Sequence, residues 1–163
     1  MIYRDLNIQY TTGGLSIKHS GIASLDGCPE FINGTFQCSD NLLSSLVGGP
    51  RKVDGSYICI RNQLTNLDGA PTHISVTFDF TYNPITSLIG IHKIVKSCNA
   101  IRFDSLSIEE GGIGLLLIDG LSLIPAWSEP FEIISRYLGT GTKGMMECSR
   151  ELKSKGYEDY AKL

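Results

Sequence analysis

Gly139-Thr-Gly141-Thr-Lys-Gly144 spells G-x-G-x-x-G, the pattern whose glycines let a backbone approach a pyrophosphate. That chemistry needs a strand before the motif and an acid some way beyond its helix. Here a helical stretch precedes it, so a flexible inter-helix turn is expected. Cys38 and Cys59 are spaced evenly, but no histidine or further cysteine joins them at ligand spacing. Small apolar fillers of a core are expected there instead. Cys28, Cys98 and Cys148 stand alone, and His19, His73 and His92 are scattered. Glu109 and Glu110 are adjacent and would point apart in a strand, so a solvated edge is expected. No nucleophile, base and orienting group assemble from these residues. The expectation is a protein that is not an enzyme and uses no cofactor and no metal.

The bulk properties narrow the class further. The chain of 163 residues carries 14 Lys and Arg against 17 Asp and Glu, a net charge of −3. Phosphate binding needs a dense basic surface, which argues against nucleic acid as a partner. Charged residues are only 19 % and glycines number 18, which suits a tightly turned repeat. Met1-Ile-Tyr-Arg-Asp-Leu6 contains no apolar run of the signal-peptide type, and no run is long enough to span a bilayer. With five cysteines and no C-x-x-C pair, free thiols in a reduced, cytoplasmic setting are expected. Ala161-Lys-Leu163 matches a peroxisomal address only as a tripeptide; an ordinary tail is expected.

The elements that position everything else are set by a period of 21 residues. Asn41, Asn62 and Asn83 keep that interval, as do Leu25, Leu46, Leu67 and Leu88, and Gly27, Gly48, Gly69 and Gly90. Ile32, Val53, Ile74 and Val95 form another register. Phe36, Tyr57 and Phe78 form the next, followed by Cys38, Cys59 and Phe80. A fixed period of this length marks stacked repeats, each unable to bury its apolar face alone. Tyr57 and Cys59, two apart, face the same side of a strand, leaving Ile58 and Ile60 on the other. Asn62 turns the chain and bonds backbone through its amide. Leu64 and Leu67 return inward, and Gly69 and Pro71 carry an extended return segment. Each copy is expected to add one parallel strand about 4.8 Å from the next.

The strand signature L-x-L-x-x-N-x-L-x-x-L is met by Phe36-x-Cys38-x-x-Asn41 with Leu43 and Leu46. It recurs in Tyr57-x-Cys59-x-x-Asn62 with Leu64 and Leu67, and in Phe78-x-Phe80-x-x-Asn83 with Ile85 and Leu88. In this the chain resembles the leucine-rich repeat proteins, with Phe, Tyr and Cys in place of strand leucines. The match continues to about residue 110, where Val95, Ile101, Asp104 and Leu106 occupy the corresponding places. Leu15-x-Ile17-x-x-Ser20, with Ile22 and Leu25, is a degenerate first copy. A closer rhythm, N-x-L-T-S-L-x-G-x-P-x-x-V-x-G-x-F-x-C, is similar to that of short repeat proteins of tailed bacteriophages. The resemblance implies an α/β repeat solenoid, a short leucine-rich-repeat-like array with parallel strands and a C-terminal two-helix cap. The expected organisation is an N-terminal cap and degenerate copy over 1–21, the array over 22–111, and a strand plus helical cap over 112–163.

Within that last part, Ile113 to Ile118 is expected to be a buried strand. Leu121 to Ile124 would extend or pair, and Pro125 would break the run. Ser128 suits a helix N-cap, with Glu129 and Glu132 at the positive dipole end. Phe131, Ile134 and Leu138 would share the inner face of a helix over 129–138. A second helix over 143–155 would bury Met145, Cys148 and Leu152, and Gly156 would end it.

The strand face turned away from the core is the expected site. Counting by 21 places Gln37, Ile58, Asp79 and Ala100 in one column and Ser39, Ile60, Thr81 and Arg102 in the next. Asp40, Arg61, Tyr82 and Phe103 form a third. Arginine and aromatic side chains among aliphatics are the chemistry of binding hot spots. The candidate protein-binding residues are therefore Gln37, Ile58, Ile60, Arg61, Asp79, Tyr82, Arg102 and Phe103. The expected function is non-enzymatic protein–protein interaction. The phage-like rhythm implies a viral protein that binds and disables a host enzyme or immune protein in the host cytoplasm. Two alternatives stand beside it: a self-assembling structural or accessory protein, and a small-molecule or nucleotide binder with a pocket between solenoid and helices.

Overall fold

The computed structural model describes residues 10, 11 and 13–163. The first nine residues of the expected N-terminal cap, including Met1–Leu6, lie outside the described residues. The strands are β1 (Tyr10–Thr11), β2 (Leu15–Ser16), β3 (Phe31–Ile32), β4 (Phe36–Gln37), β5 (Lys52–Val53), β6 (Tyr57–Ile58), β7 (His73–Ile74), β8 (Thr77–Asp79) and β9 (Ala100–Arg102). They form two parallel sheets, β1-β3-β5-β7 and β2-β4-β6-β8-β9. Phe36 pairs with Tyr57 and Tyr57 with Phe78; Ile32 pairs with Val53 and Val53 with Ile74. The 21-residue period is thus the rise from one coil to the next, and the fold is a parallel-strand repeat solenoid with a helical C-terminal cap.

Each repeat contributes two short strands rather than the single one expected. The return segment that follows each proline also pairs, because Ile32, Val53 and Ile74 are buried and hold it against the core. The corner between the two strands is built by stacked glycines. A Cβ on Gly55 would meet the carbonyl carbon of Gly34 at 2.5 Å, and one on Gly34 would meet Gly14 N at 2.7 Å.

Inside, one aromatic column runs the length of the core. Phe36, Tyr57 and Phe78 follow each other at 5.1 and 5.5 Å, and Phe80, Phe103, Phe131 and Tyr160 carry the column into the cap at 5.8, 4.9 and 5.7 Å. Cys38 and Cys59 fill the space beside it, fully buried, as expected of small apolar residues. A second, polar column is formed by the asparagines. Asn62 accepts from Leu43 N at 3.1 Å and donates to the carbonyls of Cys38 and Cys59 at 3.1 Å and of Ile60 at 3.4 Å. Asn41 and Asn83 repeat the arrangement one coil to either side.

The period breaks after Gly90. Helix α1 (Ile91–Ile94) lengthens the next coil, so β8 pairs with β9 as Thr77↔Ala100 and Asp79↔Arg102, and His73 bridges to Ser97. Val95 and Ile101 are buried as expected, but Leu106 is fully outside the core. Parallel bridges continue from Ser97 to Asp119 and from Ala100 to Leu123, so stacking extends beyond residue 112.

Ile113 to Ile118, expected as a strand, is a 3-10 helix over Ile113–Leu117. Gly111 and Gly112 enter it with φ of 76° and 111°, and the ring of His92 occupies the space a side chain on Gly114 would need. The cap consists of α2 (Glu129–Ser135), α3 (Gly141–Ser154) and a 3-10 turn over Glu158–Ala161. Phe131, Ile133, Ile134, Cys148 and Leu152 close the core. Ser128 does not cap α2 with its side chain; its hydroxyl reaches Ser105 O at 3.5 Å. Glu129 instead receives Lys155 Nζ at 2.7 Å and the Tyr157 hydroxyl at 2.8 Å. Tyr160 Oη donates to Ile108 O at 2.8 Å and Lys162 pairs with Glu110 at 3.3 Å, which fastens the cap to the solenoid. Among the described residues, no helix is long and apolar enough to cross a membrane.

Candidate functional site

The outward face of the five-stranded sheet carries most of the residues expected to bind. Gln37, Ile58 and Asp79 lie in one column, paired strand to strand, and the next member is Arg102 rather than Ala100. The shift follows from the extra residues around α1. Ile60 stands on the same face, half-buried, its N–H bonded to the Ser39 hydroxyl at 3.2 Å. Phe103, expected on this face, is 4 % exposed and stacked on Phe80. With the register moved by two, it occupies the core place of Cys38, Cys59 and Phe80, and cannot take part in the exposed surface.

Just before each column asparagine, and before Ser20 in the first copy, the chain must turn sharply, and four non-glycine residues do so in the left-handed region: His19, Asp40, Arg61 and Tyr82, with φ of 54°, 56°, 52° and 57°. Such backbone is costly for side chains of this size. The N–H groups of the first three donate to Ser39, Ile60 and Thr81 carbonyls one coil on. That of Tyr82 donates to the Asp104 carboxylate at 2.6 Å, where the lengthened coil supplies a side chain instead. The conformation throws His19, Arg61 and Tyr82 outward, with Asp40 recessed between the first two. His19 lies 3.6 Å from Asp40, Asp40 is 3.6 Å from Arg61, and the Arg61 guanidinium sits over the Tyr82 ring at 5.1 Å.

Beside this row, Asp79 is held in place by Thr81, whose hydroxyl and N–H reach it at 2.8 and 3.1 Å. Arg102 lies 3.6 Å from the same carboxylate. Here the face opens into a groove of about 670 Å³. Tyr82, Arg102, Leu106, Leu123 and Trp127 line it. Its apolar members are unusually bare for large hydrophobics: Trp127 is 82 % exposed, Leu106 77 %, Tyr82 64 % and Leu123 62 %.

Leu106, Leu123 and Trp127 were not among the residues expected to bind. Counting by 21 places Leu106 in the core, and Leu123 and Trp127 follow the end of the period. The one available signal was composition: Trp127 is the only tryptophan in the chain and falls in no apolar register.

The remaining reactive groups are poorly set for covalent chemistry. Burial pushes the Cys38 thiol up to about 12, Cys28 to about 11 and Cys148 to about 12, and raises Cys59 well above its ordinary value. Burial, with Lys93 and Lys96 nearby, lowers His92. His73 Nδ1 faces the Thr72 hydroxyl at 2.8 Å. Among the described residues, no three His, Cys, Asp or Glu side chains converge to hold a metal. Of Gly139–Gly144, the first two residues belong to the link between α2 and α3, the rest form the first turn of α3, and no strand precedes them. The groove can act by apolar contact, ring stacking and hydrogen bonds from guanidinium groups. Protein-family models, curated proteins and solved structures contain no match to this chain.

Proposed function

We propose that this protein is a non-enzymatic docking module that takes a protein partner on the outward strand face, centred on the groove between Tyr82 and Trp127. The observation that carries this reading is the cluster of four bare apolar side chains around Arg102. Isolated exposed hydrophobics are ordinary, whereas a contiguous set beside an arginine is what a partner buries. The likeness to leucine-rich repeat proteins supports the same mode of action. The rhythm shared with phage repeat proteins gives it a concrete form: a phage protein that docks on a host defence or nucleic-acid-processing enzyme in the host cytoplasm and disables it.

The test is affinity capture from host lysate with wild type, Tyr82→Ala and Trp127→Ala. Both substitutions remove exposed side chains and leave the core untouched. The expected result is a partner retained by wild type and lost by both variants. A partner held equally by all three would place docking elsewhere. A stable oligomer in sedimentation, dissolved by the same substitutions, would favour self-assembly instead.

A further inference from the structure

Building on the docking reading, we infer that the groove's occupant is an acidic peptide segment carrying aliphatic or aromatic side chains, its carboxylates on Arg61 and Arg102 and its apolar groups on Tyr82, Leu106, Leu123 and Trp127. The argument rests on how charge is presented. The side chains of Arg61 and Arg102 are 64 % and 69 % exposed, whereas those of their acidic neighbours Asp40 and Asp79 are 26 % and 10 % exposed. Positive charge therefore stands at the surface with Asp40 and Asp79 behind it, and the one carboxylate among the described residues lining the groove, Asp104, is engaged by the Tyr82 N–H at 2.6 Å. Both arginines lie 3.6 Å from those carboxylates, beyond hydrogen-bonding distance. Arg136, by contrast, donates to Glu151 at 2.7 Å. Among the described residues, neither Arg61 nor Arg102 donates a side-chain hydrogen bond, so their forked donors are held in position and unused. A planar guanidinium in that state matches a carboxylate in two-point geometry.

The aspartates also set a limit. Each recessed carboxylate offsets part of its arginine's field, and the chain as a whole carries −3. A polyphosphate backbone needs a continuous basic track, which two backed guanidiniums do not provide. Leu106 and Leu123 require aliphatic partners that a nucleic acid lacks. A peptide with a few acids among apolar residues satisfies both halves of the groove.

Trp127, the only tryptophan, lies in the groove, so emission excited at the red edge, where indole absorbs and the tyrosines do not, reports this site. Random dodecapeptides displayed on a carrier would be selected on the full-length protein and counter-selected on Trp127→Ala. Enriched peptides are expected to combine carboxylates with leucine, phenylalanine or tryptophan. A tryptophan-free member, synthesised, should blue-shift Trp127 emission. It should bind Arg102→Glu about tenfold or more weakly, as for loss of a hot spot. Met146→Ala, on α3 outside the groove, should bind as wild type does. Trp127-dependent peptides that are neutral or basic would overturn the acidic assignment and leave the docking reading standing. Trp127-dependent binding of oligothymidylate in place of any peptide would overturn both, as would the absence of any Trp127-dependent ligand.

Discussion

Removing the Asn62 side chain tests the polar column at its centre, and its effect can be worked out bond by bond. In Asn62→Ala, Cys38 O keeps Asn41 Nδ2 at 3.0 Å, Cys59 O keeps Asn83 Nδ2 at 3.0 Å, and Ile60 O keeps the Asp40 N–H at 2.9 Å. Only the buried Leu43 N–H loses its one partner among the described residues. An orphaned buried donor costs about 1–3 kcal/mol, to which the lost bonds of the amide add a smaller amount. The expected loss is about 2–3 kcal/mol, or about 5–10 °C in melting temperature for a chain of this size. Asn83→Ala should lose more, because it orphans both Leu64 N and Phe80 O, the latter having no second donor among the described residues. Urea unfolding followed by far-ultraviolet circular dichroism measures both. A loss below about 0.5 kcal/mol for Asn62→Ala, or a larger loss there than in Asn83→Ala, would refute the shared-carbonyl reasoning, since one buried orphan alone exceeds that.

Tyr57→Phe should be neutral or stabilising by up to about 1 kcal/mol in the same assay, because the Tyr57 hydroxyl is buried without a hydrogen-bond partner among the described residues. Thiol titration of the native protein at neutral pH should proceed slowly and reach five equivalents promptly only in denaturant, since burial raises the cysteines; fast native labelling of Cys38 or Cys59 would contradict this. Glu129 is held below its ordinary value by hydrogen bonds from Lys155 and Tyr157, and Glu151 by those from Arg136 and Tyr137. Their contribution is complete above the ordinary carboxylate pKa and is lost as pH falls through the depressed values. Melting temperature should therefore drop less on acidification, from about pH 5 to about pH 3, in Glu129→Gln/Glu151→Gln than in wild type; an equal drop would show that these pairs are idle.

The solenoid was legible wherever the period held, because each register names one structural place. Leu25, Leu46, Leu67 and Leu88 are all buried, and the asparagines stack as their spacing requires. Legibility failed where a local helix competed with the count. Ile91-His-Lys-Ile94 adds residues directly after Gly90, where His92 stands in the place of Pro29, Pro50 and Pro71, and every column projected past it by 21 is displaced. Matching side-chain pairs would have found the true register: Ile101-x-Phe103 has the apolar rhythm of Phe78-x-Phe80 and sits in the same core places. Half of the groove escaped for a related reason. Leu123 and Trp127 belong to no repeat, and only the folded chain brings them against Tyr82 and Arg102.

The asparagine column has a direction. Asn41 reaches back to Ile17, Ser20 and Ile22, Asn62 back to Cys38 and Leu43, and Asn83 back to Cys59 and Leu64. Each side chain locks its own coil onto the one already made, and never onto one still to come. A chain leaving the ribosome can therefore be clasped coil by coil, in the order of synthesis, with the edge that takes the next 21 residues always at the growing end. The helical cap, emerging after the coils, closes that edge.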